Sequence, residues 1–170
     1  MATTALISVE EYLSTSYQDG DREFVDGAVV ERNVGEYQHS DVQTAIAFWL
    51  RGHIKAYRTV VECRLRIRTS RYRIPDVMLV EKHGPAKPGP VTEVPFLVVE
   101  VLSPDDRASD MRDKIADYRY LGVKYIWVVD PRAQSADIYT AEGSRTVTDG
   151  VLRTENPPIE VPFSEIFETE

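Results

Sequence analysis

The chain has 170 residues, of which 42% are hydrophobic and 28% are charged, a composition typical of soluble globular proteins. This length suffices for a buried core, and we predict a single domain spanning residues 1–170. The formal net charge of −8 argues against a protein that binds polyanions over its whole surface. No apolar run approaches the roughly 20 residues of a membrane span, so we expect no membrane partner.

The N-terminal sequence and the cysteine content favour a cytoplasmic protein. The segment MATTALISVEEYL has no basic region and soon becomes acidic, which predicts that no signal peptide is present. The single cysteine, Cys63, cannot form a disulfide within the chain. No set of cysteines and histidines has the spacing of a zinc site.

The predicted elements of the first third of the chain begin with a short helix. Ser8 and Glu11 form a capping-box pattern, which predicts a helix from Ser8 to about Ser16. Asp26–Gly27 separates two apolar runs, a strong signal for a two-residue β-hairpin turn. Residues 38–57 carry apolar side chains on one helical face and predict a long helix.

Residues 60–69 alternate between apolar and polar side chains, which predicts one strand with a single buried face. The predicted inward side chains are Val61, Cys63, Leu65 and Ile67. From Arg51 to Arg73 there are eight lysines and arginines and one acid, so this stretch carries +7. It is either an ordinary solvated face or a stripe that contacts nucleic-acid phosphates. In the second case the candidate contacts are Arg64, Arg66, Arg68 and Arg71.

The second half of the chain contains the most apolar segments. IPDVMLV predicts a strand with Asp76 just inside it, and a long loop rich in proline and glycine follows over residues 81–95. PFLVVEVLSP, residues 95–104, predicts a central strand covered on both faces. Residues 109–121 predict a helix that ends at Gly122, and KYIWVVD and ADIYTAEG predict further strands. This order predicts an α/β (α+β) fold with a mixed β-sheet flanked by helices.

Glu100 is the one carboxylate within the apolar segment 95–104. A lone ionised carboxylate in a dry core is costly unless a partner compensates its charge. If the strands that carry Asp76 and Glu100 pair, the two carboxylates converge, and a cation between them keeps both ionised. Mg²⁺ suits such a pair, because it takes one or two protein carboxylates and keeps several waters.

Lys114 is the predicted third member of this site. On a helical wheel it falls inside the buried arc defined by Met111, Ile115, Tyr118 and Leu121. An inward ammonium beside two inward carboxylates would stabilise charge on a phosphoryl transition state or orient the attacking water. The alternative is that Lys114 extends to the rim of an ordinary amphipathic helix. Tyr118 is expected to pack in the core.

The ordered set of motifs resembles a nuclease family. Pro75–Asp76 followed by Glu100, Val101 and Leu102 is similar to the PD-(D/E)XK signature. REFVDG, QHS, RIPDVMLV, PFLVVEVLSP and DMRDKIADYRYLGVKYIWVVDP closely resemble the putative restriction endonuclease family of that superfamily, formerly a domain of unknown function. The resemblance covers roughly residues 8–140. Where the usual signature has a lysine, two residues after the acid, this chain has Leu102, and the resemblance implies that Lys114 replaces it.

The resemblance implies a restriction-endonuclease-like core with an N-terminal helix and β-hairpin, and a Mg²⁺ cofactor for which Mn²⁺ can substitute. It implies that Asp76 and Glu100 bind the metal, with the Val101 carbonyl as a candidate third ligand. Glu23 matches an acidic position that would hold metal-bound water or a second metal, or else it is a surface acid of the hairpin. His39 matches a histidine that would orient water or contact a phosphate, or else it is a partly exposed surface residue.

These observations lead to the expectation of a Mg²⁺-dependent DNA endonuclease that uses a metal-activated water. Because cutting both strands of a duplex takes two sites, we expect a two-fold homodimer with DNA as its partner. One alternative is a catalytically silent nuclease-fold protein that serves as a nucleic-acid-binding or interaction module, which Leu102 and the acidic charge favour. A weaker alternative is a metal-dependent hydrolase of a small phosphorylated molecule.

Overall fold

The computed structural model describes residues 6–18, 20–33 and 35–167. Within these ranges the helices are α1 (Val9–Ser14), α2 (Tyr37–His53) and α3 (Ala108–Leu121), and a 3₁₀ turn covers Phe163–Glu165. The strands of the same ranges are β1 (Arg22–Val25), β2 (Ala28–Glu31), β3 (Tyr57–Val61), β4 (Leu65–Arg68), β5 (Arg71–Arg73), β6 (Val77–Glu81), β7 (Leu97–Val101), β8 (Tyr125–Asp130), β9 (Ser135–Tyr139), β10 (Ser144–Thr146), β11 (Val151–Thr154) and β12 (Ile159–Pro162).

Two predictions extend beyond the described residues. The predicted absence of a signal peptide depends in part on residues 1–5, and the predicted single domain includes residues 168–170. Both of these ranges lie outside the part of the chain that the structure describes. Among the helices that are described, none has the length and apolar character needed to cross a lipid bilayer.

The centre of the protein is a six-stranded mixed sheet with the strand order β10-β9-β8-β7-β6-β3. Strand β7 pairs antiparallel with β6 and parallel with β8, and all five of its residues are buried. A strand covered on both faces carries side chains that avoid water on both sides, which explains the apolar run around Glu100. The central strand predicted within residues 95–104 is confirmed.

The two faces of this sheet are covered by different elements. Ile46 and Leu50 of α2 pack in one cluster with Leu97, and the hairpin β11–β12 contributes to the same cluster. Ile115 of α3 packs in a second cluster with Val98 and with residues of β4. Successive residues of β7 therefore face opposite layers, as the period of two in a strand requires. The predicted α/β (α+β) class, a mixed sheet flanked by helices, is confirmed.

A smaller sheet with the order β2-β1-β5-β4 and helix α1 form the N-terminal part. The hairpin predicted at Asp26–Gly27 is confirmed, and both turn residues have positive φ, 50° and 94°, as a type I′ turn requires. Helix α1 begins after Ser8, whose hydroxyl accepts a hydrogen bond from the Glu11 amide at 3.1 Å. Tyr12 of this helix stacks on Phe24 of β1.

The single strand predicted over residues 60–69 is wrong. Strand β3 ends at Val61 and belongs to the large sheet, whereas β4 begins at Leu65 and belongs to the small one. Glu62 interrupts the extended backbone with a φ of 47°. Leu65 and Ile67 are buried as predicted, but Val61 is 49% exposed and Cys63 is only half-buried. An alternating pattern can continue across a chain reversal, so it does not locate the break.

Other boundaries also differ from the prediction. Helix α2 ends at His53 instead of residue 57, because Tyr57 already pairs with Glu81 at the edge of the large sheet. Strand β5 and the hairpin β11–β12 were not predicted, since short strands with mixed polarity carry little periodic signal. Asp76 lies directly before β6 and not just inside it. The helix predicted over 109–121 is confirmed, with Gly122 in the left-handed region at its end.

We expect the Leu97→Ala variant to lower the free energy of unfolding by about 3 kcal/mol, because it leaves a cavity in the packed layer between β7 and α2. Urea denaturation measures this. The matched Leu6→Ala variant removes the same atoms from a side chain that is 72% exposed, and should change the free energy by less than about 0.5 kcal/mol. Equal losses in the two variants would contradict the central position of β7.

Candidate active site

The register between β6 and β7 brings the two predicted acids together. Val77 pairs with Val99 and Met78 with Val98. Continuing this antiparallel register by one residue sets Asp76 opposite Glu100, and directly opposite residues point to the same face of a sheet. Both side chains are almost fully buried. They face the layer that contains α3, so the expected convergence of the two carboxylates is found.

Glu100 is compensated from helix α3. The Nζ atom of Lys114 lies 3.0 Å from Oε2 of Glu100, and the hydroxyl of Tyr118 donates a short hydrogen bond to Oε1. The two donors stand one helical turn apart, so α3 presents both to the same carboxylate. The Lys114 side chain is 17% exposed. Its ammonium therefore points inward and does not extend to the rim of the helix.

Asp76 is held by three donors from three different segments. The backbone N–H of Val101 donates to Oδ2 at 2.7 Å, and Nη2 of Arg32 donates to Oδ1 at 2.9 Å. The Nε2 atom of His39 lies 3.3 Å from Oδ2. His39 is buried at the beginning of α2 and is therefore not a partly exposed surface residue.

Glu23 is a buried member of the same cluster and not a surface acid of the hairpin. Its Oε1 atom lies 3.6 Å from Nζ of Lys114 and accepts the Ile74 amide at 3.1 Å. Its Oε2 atom accepts from Arg73 at 2.8 Å, and Arg73 also pairs with Asp117 of α3. Lys114 is thus held between Glu23 and Glu100, and Arg73 ties the small sheet to α3.

The surroundings move the pKa values of the two central acids in opposite directions. Burial raises the pKa of Glu100 to about 7, helped by the nearby Asp76 and Glu23 and opposed by Lys114. Burial also raises the pKa of Asp76, but His39, Arg32 and the Val101 amide outweigh it, so the net shift is downward. One acid therefore stays ionised, while the other takes up a proton close to neutral pH, as is common in active sites.

The surroundings favour the charged forms of Lys114 and His39. Burial lowers the pKa of Lys114, but Glu100 and Glu23 outweigh this and raise it. The hydrogen bond to Asp76 raises the pKa of His39, against burial and Arg32. The cluster lines a cavity of about 270 Å³ that also contains Val101, the candidate backbone ligand. Acids and bases with shifted pKa values in a cleft are a common sign of a functional site.

The predicted basic stripe does not form one free surface. Arg64 donates to the carbonyls of Leu13 and Thr15, and its guanidinium stacks over the Tyr12 ring. Arg68 pairs with Asp26, and Arg71 pairs with both Asp26 and Asp117. Arg66 is exposed, and no partner for its side chain is found among the described residues. Three of the four arginines therefore already have protein partners.

Several residues of the site were not predicted: Arg32, Arg73, Asp117 and Tyr118. Tyr118 had a usable signal, since it stands four residues after Lys114 on the buried face of the same helix. Arg32 contacts an acid 44 positions away and Arg73 an acid 50 positions away. Contacts at such separations leave no periodic trace in the sequence.

The carboxylate oxygens of Asp76 and Glu100 suit a metal ion such as Mg²⁺. Among the described residues, no three histidine, cysteine or acidic side chains come together as a metal-binding group, so a closed structural site is not formed. A carboxylate oxygen can accept in two directions. Oδ1 of Asp76 and Oε2 of Glu100 each accept from one protein donor and keep a second direction. Two hard oxygen ligands suit an ion that retains waters, which Mg²⁺ and Mn²⁺ do.

Comparisons with known proteins show the family of this chain. The model of the family described as Uma2, putative restriction endonuclease, matches residues 9–167. The chain belongs to this family. It is also similar to the crystal structure of a putative nuclease belonging to DUF820 from Anabaena variabilis, with a TM-score of 0.75 and 16% sequence identity. That match covers 95% of this chain and 97% of the other. No curated protein matches the sequence.

Membership of the putative restriction endonuclease family confirms the resemblance noted in the sequence and indicates nuclease function. At this level of identity, the likeness to the Anabaena variabilis structure shows the fold alone, which agrees with a restriction-endonuclease-like core. The roles of the individual residues remain predictions.

The raised pKa of Glu100 predicts how metal-free protein responds to pH. The folded state binds a proton at Glu100 more tightly than the unfolded state, so this stabilisation is complete below about pH 4.5 and is lost as the pH rises through about 7. Relative to Glu100→Gln, wild type should lose up to about 3 kcal/mol of unfolding free energy across this range.

Urea denaturation in EDTA at several pH values measures that difference. Glu36→Gln replaces an exposed carboxylate, and its stability should run parallel to that of wild type. If the difference between wild type and Glu100→Gln stays constant or grows with pH, the assignment of the upward shift to Glu100 is incorrect.

Proposed function

We propose that this protein is a metal-dependent endodeoxyribonuclease that hydrolyses phosphodiester bonds. Asp76 and Glu100 would hold Mg²⁺, with the Val101 carbonyl as a further ligand and Mn²⁺ as a substitute ion. The observation that carries this proposal is the placing of both acids on one face of neighbouring strands, with the Lys114 ammonium 3.0 Å from Glu100. When bound, a divalent ion lowers the pKa of water and offsets the charge of the scissile phosphate.

Lys114 is proposed to stabilise the negative charge that develops on the phosphoryl oxygens. Its ammonium stays protonated and enters the reaction already oriented, because Glu23 and Glu100 hold it from two sides. A preorganised charge is effective because it needs no rearrangement as the reaction proceeds. The lysine reaches the site from α3 and replaces the one that the usual signature carries at the position of Leu102.

Glu23 and His39 are proposed as the residues that position the reactants. Glu23 forms an ion pair with Lys114 and accepts a hydrogen bond from Arg73, and it sets the direction of the ammonium or of a nearby water. His39 contacts Asp76 through Nε2, and no partner of its buried Nδ1 atom is found in the described ranges. A protonated imidazole can donate from Nδ1 to a phosphate oxygen of the substrate.

DNA is the proposed substrate, and a two-fold homodimer that works in the cytoplasm is the proposed assembly. Nuclease family membership supports a nucleic-acid substrate, and two sites are needed to cut both strands of a duplex. The candidate phosphate contacts outside the cavity are Arg64, Arg66, Arg68 and Arg71. Of these, Arg66 and Arg68 are the exposed members.

A specific observation favours a second function, a catalytically silent nucleic-acid-binding or interaction module. Arg32 and Lys114 already neutralise Asp76 and Glu100, so the buried acids are compensated by the protein's own cations. A cluster that is balanced in this way can be retained for the stability of the fold. Leu102, in place of the usual lysine, is compatible with the same alternative.

We expect wild type to nick supercoiled plasmid DNA in the presence of Mg²⁺ or Mn²⁺. Asp76→Asn, Glu100→Gln and Lys114→Met should each lower the rate at least about a hundredfold. The first two remove a carboxylate that would hold the metal, and the third removes the ammonium that offsets the charge of the transition state. Lys124→Met, which removes an exposed lysine outside the cavity, should cut like wild type.

Gel assays of initial nicking rates distinguish the candidate functions. Undiminished cleavage by the Glu100 variant would refute the role of this acid. If neither wild type nor any variant cuts DNA while duplex binding is retained, the silent module is favoured. Hydrolysis of a small phosphate ester without DNA cleavage would instead favour a small-molecule hydrolase.

The basic stripe leads to a separate prediction about affinity. Arg66→Ala should weaken duplex binding equally for different sequences and lower the slope of log affinity against log salt by about 0.9, the value for one phosphate contact. Fluorescence anisotropy over a salt series measures the slope. Arg145→Ala removes an exposed arginine from β10 and should leave it unchanged. Identical slopes for all three proteins would exclude Arg66 from the interface.

A further inference from the structure

Arg32 contacts the same oxygen of Asp76 to which a metal ion would bind. It follows strand β2 and reaches across the cavity, so that Nη2 lies 2.9 Å from Oδ1 of Asp76. Oδ1 is one of the two carboxylate oxygens with an acceptor direction left, as described above. The Arg32 side chain is only 18% exposed, and its second amino group, Nη1, lies 4.0 Å from Glu62. A guanidinium of the protein thus lies beside the direction from which a divalent ion would bind Oδ1.

The hydrogen bonding of Arg32 at this position is incomplete. Its Nε atom is buried, and no acceptor for it is found among the described residues. A buried donor without a partner is costly, so the guanidinium is not optimally satisfied where it lies. Nδ1 of His39 is in the same situation, and both side chains line the same cavity. Neither side chain is therefore fixed by a complete set of hydrogen bonds in this arrangement.

The other cation of the cluster is held differently. Lys114 is carried by helix α3 and fixed between Glu23 and Glu100, whereas Arg32 stands in the connection between β2 and α2 and has one close ionic partner. Arg32 can therefore leave Asp76 by rotating its own side chain, without moving a helix. Burial lowers the pKa of Arg32, but Asp76, Glu100 and Glu23 outweigh this and raise it, so it stays charged.

A divalent ion and the guanidinium would compete for the same carboxylate. Like charges at contact distance repel strongly in a partly buried site, so binding of the ion weakens the hold of Asp76 on Arg32. A released guanidinium needs acceptor oxygens within reach. The phosphate of a bound nucleic acid supplies them in the planar arrangement that a guanidinium binds best.

We propose that Arg32 is the counter-ion of Asp76 in the metal-free site and that, when a divalent ion binds, it moves to a phosphate of the nucleic acid. This inference rests on the proposed function, because it needs a metal at Asp76. It adds a residue to the site that links the two ligands: metal binding frees the arginine that holds the substrate. Metal and nucleic acid then bind cooperatively, since each favours the released position of Arg32.

The first test is the affinity for Mn²⁺ in the absence of nucleic acid, measured by calorimetry. Arg32→Met removes the competing charge and should bind Mn²⁺ about tenfold more tightly, which is about 1.4 kcal/mol. Arg32→Lys keeps the charge without the planar fork and should lie between wild type and Arg32→Met. Arg153→Met is the matched control, because it removes an arginine that pairs with Glu160 of β12 and with Asp149 before β11, and it should bind like wild type.

The second test is binding of a short duplex, measured by anisotropy. With Ca²⁺, which takes oxygen ligands as Mg²⁺ does, Arg32→Met should bind about tenfold more weakly than wild type. In EDTA the two proteins should bind equally, because Arg32 is then held by Asp76. Thermal unfolding in EDTA verifies that each variant is folded. If Arg32→Met does not fold, Arg32→Lys replaces it in the binding measurement.

The outcomes separate this inference from the function on which it rests. If wild type shows no Mn²⁺ binding that Asp76→Asn abolishes, the metal site is wrong and both proposals are overturned. If Mn²⁺ binds through Asp76 but Arg32→Met binds it no more tightly, only the competition is overturned. If duplex affinity with Ca²⁺ does not depend on Arg32, the transfer to phosphate is overturned while the metal site stands.

Discussion

The structure depends on the neutralisation of two buried carboxylates on neighbouring strands. Asp76 and Glu100 lie inside the protein, where an uncompensated charge costs far more than a single hydrogen bond returns. Four segments approach them with donors: the connection after β2, the beginning of α2, the end of β7 and helix α3. These segments meet where β6 begins and β7 ends, so that positive or donor groups lie against both acids.

Different elements of the fold position the acids and supply their partners. The large sheet sets the spacing between the two acids, because antiparallel pairing of β6 with β7 fixes which residues lie opposite. Helix α3 supplies Lys114 and Tyr118 from the layer above. The small N-terminal sheet supplies Glu23 and Arg73, and the bond from Arg73 to Asp117 connects that sheet with α3. Such a network is stable when every member is satisfied, and most of its members are.

Much of the central site could be predicted, and the reason is local. A carboxylate inside an apolar run is conspicuous, and a lysine inside the buried arc of a helix is conspicuous in the same way. Glu100 and Lys114 are identified by this argument. Asp76 is identified by its position at the start of the preceding apolar strand. The prediction for segment 60–69 was wrong because alternation indicates only which side chains avoid water. It does not show that the chain passes from one sheet to another between Val61 and Leu65.

The sequence by itself determined the order of the main helices and strands, the two-sided burial of β7 and the presence of ionisable groups inside it. Those features depend on the hydrophobic period of a helix or strand, which neighbouring residues carry. Only the tertiary structure decided that Arg32 pairs with Asp76 and Arg73 with Glu23, and that three basic residues of the stripe are engaged internally. Contacts between residues more than 40 positions apart depend on how sheets and helices pack, and no local period records that packing.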